Sequence, residues 1–100
     1  MTKTQASGVA QNTNITTPPK YCVILLNDDS TPMDFVINIC QTIFNKTKPK
    51  AEAITLEVHK KGKGVAGIYS YEVAEQKCVE TVTEARRNGF PLDVTLEKTE

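Results

Sequence analysis

The sequence predicts an α+β domain of two layers in the order βααβαβ, with a three-stranded antiparallel sheet packed against three helices. Three short segments, Tyr21–Leu26, Val65–Tyr69 and Pro91–Glu97, carry strand-type residues, in an unbroken apolar run or alternating with polar ones. Between them lie three segments whose apolar residues recur at helical spacing, opened at Thr31, Thr47 and Ser70. A chain of 100 residues, 39% hydrophobic, can bury one core and is too short for two.

Residues 1 to 20 are rich in Thr, Asn, Gln, Ser and Ala, with Met1, Val9 and Ile15 as their only larger apolar groups. That composition cannot offset the entropy of ordering, so residues 1–20 are expected to be a disordered N-terminal extension and residues 21–100 the domain. Pro18 and Pro19 mark the junction. The apolar run Tyr21–Leu26 reads as a buried strand, stopped by the turn formers Asn27, Asp28, Asp29 and Ser30. Thr31 is expected to cap the first helix, with Pro32 at its first position and Asp34 in its first turn. Its stripe is Val36, Ile39, Cys40 and Ile43, running to about Asn45. Thr47 caps the second helix, with Pro49 in the first turn and Ala51, Ile54, Thr55 and Val58 facing inward, until Gly62-Lys63-Gly64 ends it. Val65–Tyr69 follows as a strand, and Ser70 caps a third helix with the stripe Ala74, Cys78, Thr81, Val82 and Ala85, closed by Asn88-Gly89. Leu92, Val94 and Leu96 then alternate with polar residues, as a half-exposed strand requires.

Composition narrows function. Twelve basic residues balance twelve acidic ones, and setting aside Lys3 and Lys20 leaves ten basic against twelve acidic, so the field that a nucleic-acid or acidic-membrane binder uses is missing. Lys46, Lys48, Lys50, Lys60, Lys61 and Lys63 bracket the second helix, but no aromatic residue interleaves them and Glu52 and Glu57 lie between; a solvated surface is the expectation. Cys22, Cys40 and Cys78 form neither a disulfide framework nor a metal or redox motif, and are expected as reduced thiols packed in a core in the cytoplasm. No apolar stretch has the length of a membrane span or the form of a signal peptide. With one histidine and no hydrolase, metalloprotease, nucleotide or dinucleotide motif, neither an enzyme nor a cofactor is expected.

The turn Asn27-Asp28-Asp29 is more informative. Asn27 and Asp29 stand two residues apart and share a side if the chain stays extended, offering a neutral and an anionic acceptor at the mouth of a buried strand. A loop whose Asx side chains only cap the helix at Pro32 accounts for the same residues. His59 has two readings as well, a histidine closing the second helix or a ring nitrogen at a binding site.

Together, Leu26-Asn-Asp-Asp-Ser-Thr-Pro-Met-Asp-Phe-Val36, Val58-His59, Gly62-Lys63, Tyr71–Lys77 and Pro91–Lys98 resemble the ClpS family from about Tyr21 to Lys98. The resemblance implies an adaptor of the N-degron (N-end rule) pathway, which binds substrates beginning with Leu, Phe, Tyr or Trp and delivers them to the ClpA unfoldase of the ClpAP protease. It implies that Asn27, Asp28, Asp29 and His59 hold the α-amino group, with the extended-chain argument favouring Asp29 over Asp28. It further implies a side-chain pocket of Leu25, Thr31, Met33, Val36, Thr55, Val58 and Leu92, and an unfoldase-facing pair, Glu72 and Lys77. The partners expected are the N-terminal domain of a ClpA-type or ClpC-type unfoldase and N-degron substrates, with the protein itself a monomer. The chain departs from the family where Thr55 replaces the usual methionine and Ser30 the usual aromatic residue. An alternative is a regulator that docks on the unfoldase without binding N-degrons; Asn27, Asp29 and His59 would then have no task.

Overall fold

Six elements follow one another as the periodicities require: β1 (Lys20–Leu26), α1 (Met33–Thr42), α2 (Lys48–Lys61), β2 (Lys63–Ser70), α3 (Tyr71–Arg87) and β3 (Asp93–Lys98). The computed structural model describes residues 18 to 99; of the extension expected over residues 1 to 20, residues 1 to 17 lie outside the described residues and Lys20 already belongs to β1, paired with Ser70. The sheet has the order β2-β1-β3, and both pairings are antiparallel. The unbroken apolar run takes the centre, where a neighbouring strand on each side shields its backbone and side chains best. Val23 and Leu25 are fully buried under the helices, joined by Tyr21, Tyr69, Val94 and Leu96. On the opposite face Ile24 is shielded beside Val65, while Ile68, opposite Cys22, is 54% exposed.

Val23 pairs with Gly67 and Ile24 with Val65, so Ala66 is the extra residue of a bulge in β2 and its side chain is buried. Gly67 keeps the strand clear of the Tyr69 ring, into which a methyl group would run. Gly64 serves the contact between β2 and α2: a Cβ there would stand 2.9 Å from a methyl of Val58 and 3.3 Å from the carbonyl of Ile54. The preceding Gly62 ends α2 at φ 90°, a left-handed turn that costs a residue with a Cβ about 1 kcal/mol or more.

The helix starts depart from expectation in two places. Thr31 does not cap α1; Pro32 occupies the N-cap position, and its carbonyl accepts from the N–H groups of Phe35 and Val36. The reason is that the Thr31 hydroxyl is donated to Asp28, 2.8 Å away. Ser70 stands at the N-cap of α3 but makes no side-chain capping bond, whereas Thr47 accepts from the Lys50 N–H as expected. At its other end α1 stops at Thr42, short of Asn45, because Phe44 turns into the core and Asn45 takes the left-handed φ of 57°. The stripe of α2 is buried at all four positions; in α3, Ala74, Thr81 and Ala85 are buried and Cys78 and Val82 half-buried.

The expectation of three core thiols holds fully only for Cys40, which burial pushes up to about 11 against the lowering influence of Lys46 and Thr55. Cys22 and Cys78 are half-buried, Cys22 because it lies on the open sheet face and Cys78 because it flanks the buried seam of α3; all three are free. Helix α1 packs chiefly on α2, and α3 on all three strands. Two contacts tie the periphery: Phe35 meets Phe90 edge to face at 4.9 Å, and the Arg86 guanidinium donates to the carbonyls of Phe90 and Leu92.

Candidate functional site

Between the end of β1, the start of α1 and the last turns of α2 lies a cavity of about 180 Å³, lined by Asn27, Asp28, Asp29, Thr31, Met33, Val36, Thr55, Val58 and His59. Each side chain arrives there for a local reason. The turn after β1 is closed by Asp28, one of whose carboxylate oxygens accepts from the N–H groups of Ser30 (2.8 Å) and Thr31 (2.7 Å) and the other from the Thr31 hydroxyl. Burial raises the Asp28 carboxyl, but these bonds, with the charge of Arg86, outweigh it and hold the group below its ordinary value of 3.8. The Asn27 N–H donates to the carbonyl of Gly62 at 2.9 Å, which fastens the turn to the end of α2 three residues beyond His59.

That arrangement separates the two aspartates. Asp28 spends both oxygens inside the turn, whereas the exposed Asp29 has no hydrogen bond or ion pair among the described residues. Asn27 and His59 are exposed too, and neither side chain has a hydrogen-bond partner among the described residues. Three acceptors thus converge on a mouth with no internal claim on them. Below it the wall is apolar: Val36 from the first turn of α1, Val58 and the nearly buried Thr55 from α2, and Met33, 39% exposed, at the edge. The Thr55 hydroxyl donates to the Ala51 carbonyl at 2.8 Å, so no unpaired donor is left in the wall.

Nine of the residues expected at the site are therefore brought together. Leu25 and Leu92 are buried in the core and are not among the lining residues. On α3, Glu72 is exposed, while the Lys77 ammonium is half-buried and donates to the carbonyl of Ile43 at 2.7 Å, a bond no spacing in the sequence announces. A wider groove of about 540 Å³ lies between α1 and α3, lined by Asn38, Thr42, Ile43, Val79, Thr83 and neighbouring charges. It holds none of the residues expected at the site, whereas the smaller cavity gathers nine of them and is the candidate site. Among the described residues, no helix is long and apolar enough to cross a membrane.

Comparison with known proteins gives the family. The family described as "ATP-dependent Clp protease adaptor protein ClpS" matches residues 16–95. The adapter protein ClpS of Treponema denticola is 49% identical over 81 residues, 81% of this chain and 80% of that protein. That of Bdellovibrio bacteriovorus is 49% identical over 92 residues, 92% of this chain and 81% of that protein. Among solved structures, Agrobacterium tumefaciens ClpS2 bound to L-phenylalaninamide superposes with a TM-score of 0.80 at 31% identity, over 83% of this chain and all of that one. With sequence similarity over four fifths of its length and the same arrangement of helices on a small sheet, the chain belongs to the ClpS family of Clp protease adaptors.

Proposed function

We propose that this adaptor binds the free N-terminal residue of N-degron substrates beginning with Leu, Phe, Tyr or Trp and delivers them to the N-terminal domain of a ClpA-type unfoldase. The observation that carries the reading is the convergence of Asn27, Asp29 and His59, all unclaimed by internal bonds, over the wall of Met33, Val36, Thr55 and Val58. An N-terminus is an ammonium group beside a side chain, and these two halves of the cavity match it. The ligand of the Agrobacterium ClpS2, L-phenylalaninamide, has the same two features, a free α-amino group and an apolar side chain.

The ammonium group donates to the Asp29 carboxylate, the Asn27 carbonyl oxygen and a neutral ring nitrogen of His59, while the first side chain enters between the helices. Burying a Leu or Phe side chain contributes about 1.5 to 3 kcal/mol, and each charge-assisted hydrogen bond about 1.5 to 3 more before entropy is subtracted. Micromolar affinity, about −8 kcal/mol, is within reach and permits release to the unfoldase. Docking uses Glu72 and Lys77 of α3, and the adaptor acts in the cytoplasm as a monomer. The test is degradation of a Phe-initiated reporter by ClpAP: the protein should accelerate it and leave a Ser-initiated reporter untouched. Equal treatment of both would reject N-degron delivery and favour a regulator that only docks.

A further inference from the structure

The end of α1 far from the cavity is held by a charge from another helix. Carbonyls in the last turn of a helix lack intrahelical partners and gather the negative end of its dipole. Helix α1 has no basic residue in its last turn to answer them. Lys77, 34 residues later on α3, does so instead, donating its ammonium to the carbonyl of Ile43, the C-cap residue, at 2.7 Å. The same nitrogen stands 5.8 Å from the centre of the Tyr69 ring, which is tilted against Phe44 at 6.4 Å. Phe44 is buried and immediately follows that carbonyl.

We infer that Lys77 is a positioning residue for the cavity: by fixing the C-terminal end of α1 against α3 and β2, it sets where Met33 and Val36 stand at the other end. The helix is ten residues long, a rod of about 15 Å. Its N-terminal end is set by the Asp28 turn and its C-terminal end by Lys77, and Met33 and Val36 lie in its first turn. Without the ammonium, the Ile43 carbonyl has no partner among the described residues, and Phe44 and the bonds of the last turn alone hold the end of α1 against a shift along α2 that would carry the cavity wall with it. The consequence for ligand binding rests on the proposed function; the bracing of α1 does not. It gives Lys77 a task inside the fold in addition to any contact with an unfoldase.

The chain contains two methionines, Met1 and Met33, so methyl-labelled methionine reports on the cavity wall with almost no overlap. In the ligand-free protein, Lys77→Gln should move the Met33 methyl signal and speed hydrogen exchange at the Phe44 and Lys46 amides, which close the end of α1. It should also weaken a Phe-initiated peptide roughly fivefold, the loss expected for one hydrogen bond to a charged group partly relayed. Lys77→Arg, which keeps a cation able to reach the carbonyl, should restore all three. In the unsubstituted protein the Lys77 ammonium protons should exchange more slowly than those of the exposed lysines, a measurement that stands even if Lys77→Gln does not fold. A Met33 signal unmoved by Lys77→Gln, or a Lys77 ammonium exchanging like the others, overturns the inference. Because these readings are taken without peptide, failure of the unsubstituted protein to bind the peptide counts against the proposed function and not against the brace.

Discussion

Asp28 and Asp29 are neighbours with the same side chain, and the hydrogen bonds around the turn divide their tasks. Replacing Asp28 by Ala removes three bonds that close the entry to α1, and should cost about 1 to 3 kcal/mol in a denaturant melt. Asp29→Ala should leave the melt unchanged and weaken a Phe-initiated peptide by about 1.5 to 3 kcal/mol, roughly tenfold or more. His59→Ala should weaken it likewise; loss of cooperative melting in either would make these residues structural. The carboxyl of Asp28 is held below its ordinary 3.8 in the folded protein, so its contribution is fully present above that value and is lost as pH falls through the lower folded-state value. Stability of the native protein should therefore decline on acidification below 3.8 more steeply than that of Asp28→Asn. At Thr55 the hydroxyl is satisfied within α2, and a smaller side chain stands where the ClpS resemblance implies methionine. Thr55→Met should improve Leu binding over Trp binding by about 0.5 to 1.5 kcal/mol through regained methylene contacts. An unchanged Leu-to-Trp ratio in competition titrations would show that this residue does not touch the ligand.

Elements were legible in the sequence wherever a period ran unbroken. The stripe Ala51, Ile54, Thr55, Val58 is buried as spaced, and the central place of β1 follows from its continuous apolar run. What spacing missed depends on long-range contacts. Phe44 turns out of the helix expected to reach Asn45 and meets the Tyr69 ring of β2, and Thr31 gives up its capping role because Asp28 takes its hydroxyl. The bulge at Ala66 and the bond from Lys77 to Ile43 join segments too far apart in the chain for any window to register. The cavity was easier, since its nine lining residues lie in two short blocks, 27–36 and 55–59, whose side chains converge once α1 and α2 pack. Leu25 and Leu92 were named with them on the ClpS resemblance alone, and the fold buries both in the core. At this scale Gly64 is the sensitive joint. Gly64→Ala forces a methyl group against Val58 and the Ile54 carbonyl, and should cost about 1 to 3 kcal/mol by overpacking. A thermal melt checks it, and an unchanged midpoint would mean that β2 and α2 are less closely apposed.

For the molecule as a whole, membership of the ClpS family of Clp protease adaptors poses the question of where a substrate and a protease component would each be met. The cavity is framed by β1, α1 and α2, whereas the exposed Glu72 is on α3, so a substrate and an unfoldase can be met at separate places. The composition of residues 1 to 17 predicts no share in the core, and the ClpS resemblance implies a use for such an extension during delivery. Deleting them should leave peptide binding and docking nearly unchanged and slow degradation of an N-degron substrate; undiminished degradation would assign them no role in delivery. The account stands on recognition of the α-amino group by Asn27, Asp29 and His59, and a titration with one peptide in two forms isolates it. A Phe-initiated peptide with a free N-terminus should bind with micromolar affinity, about −8 kcal/mol, and its N-acetylated twin, which keeps the ring and loses the cation, should not bind measurably. Equal binding of the two forms, or none of either, would contradict it.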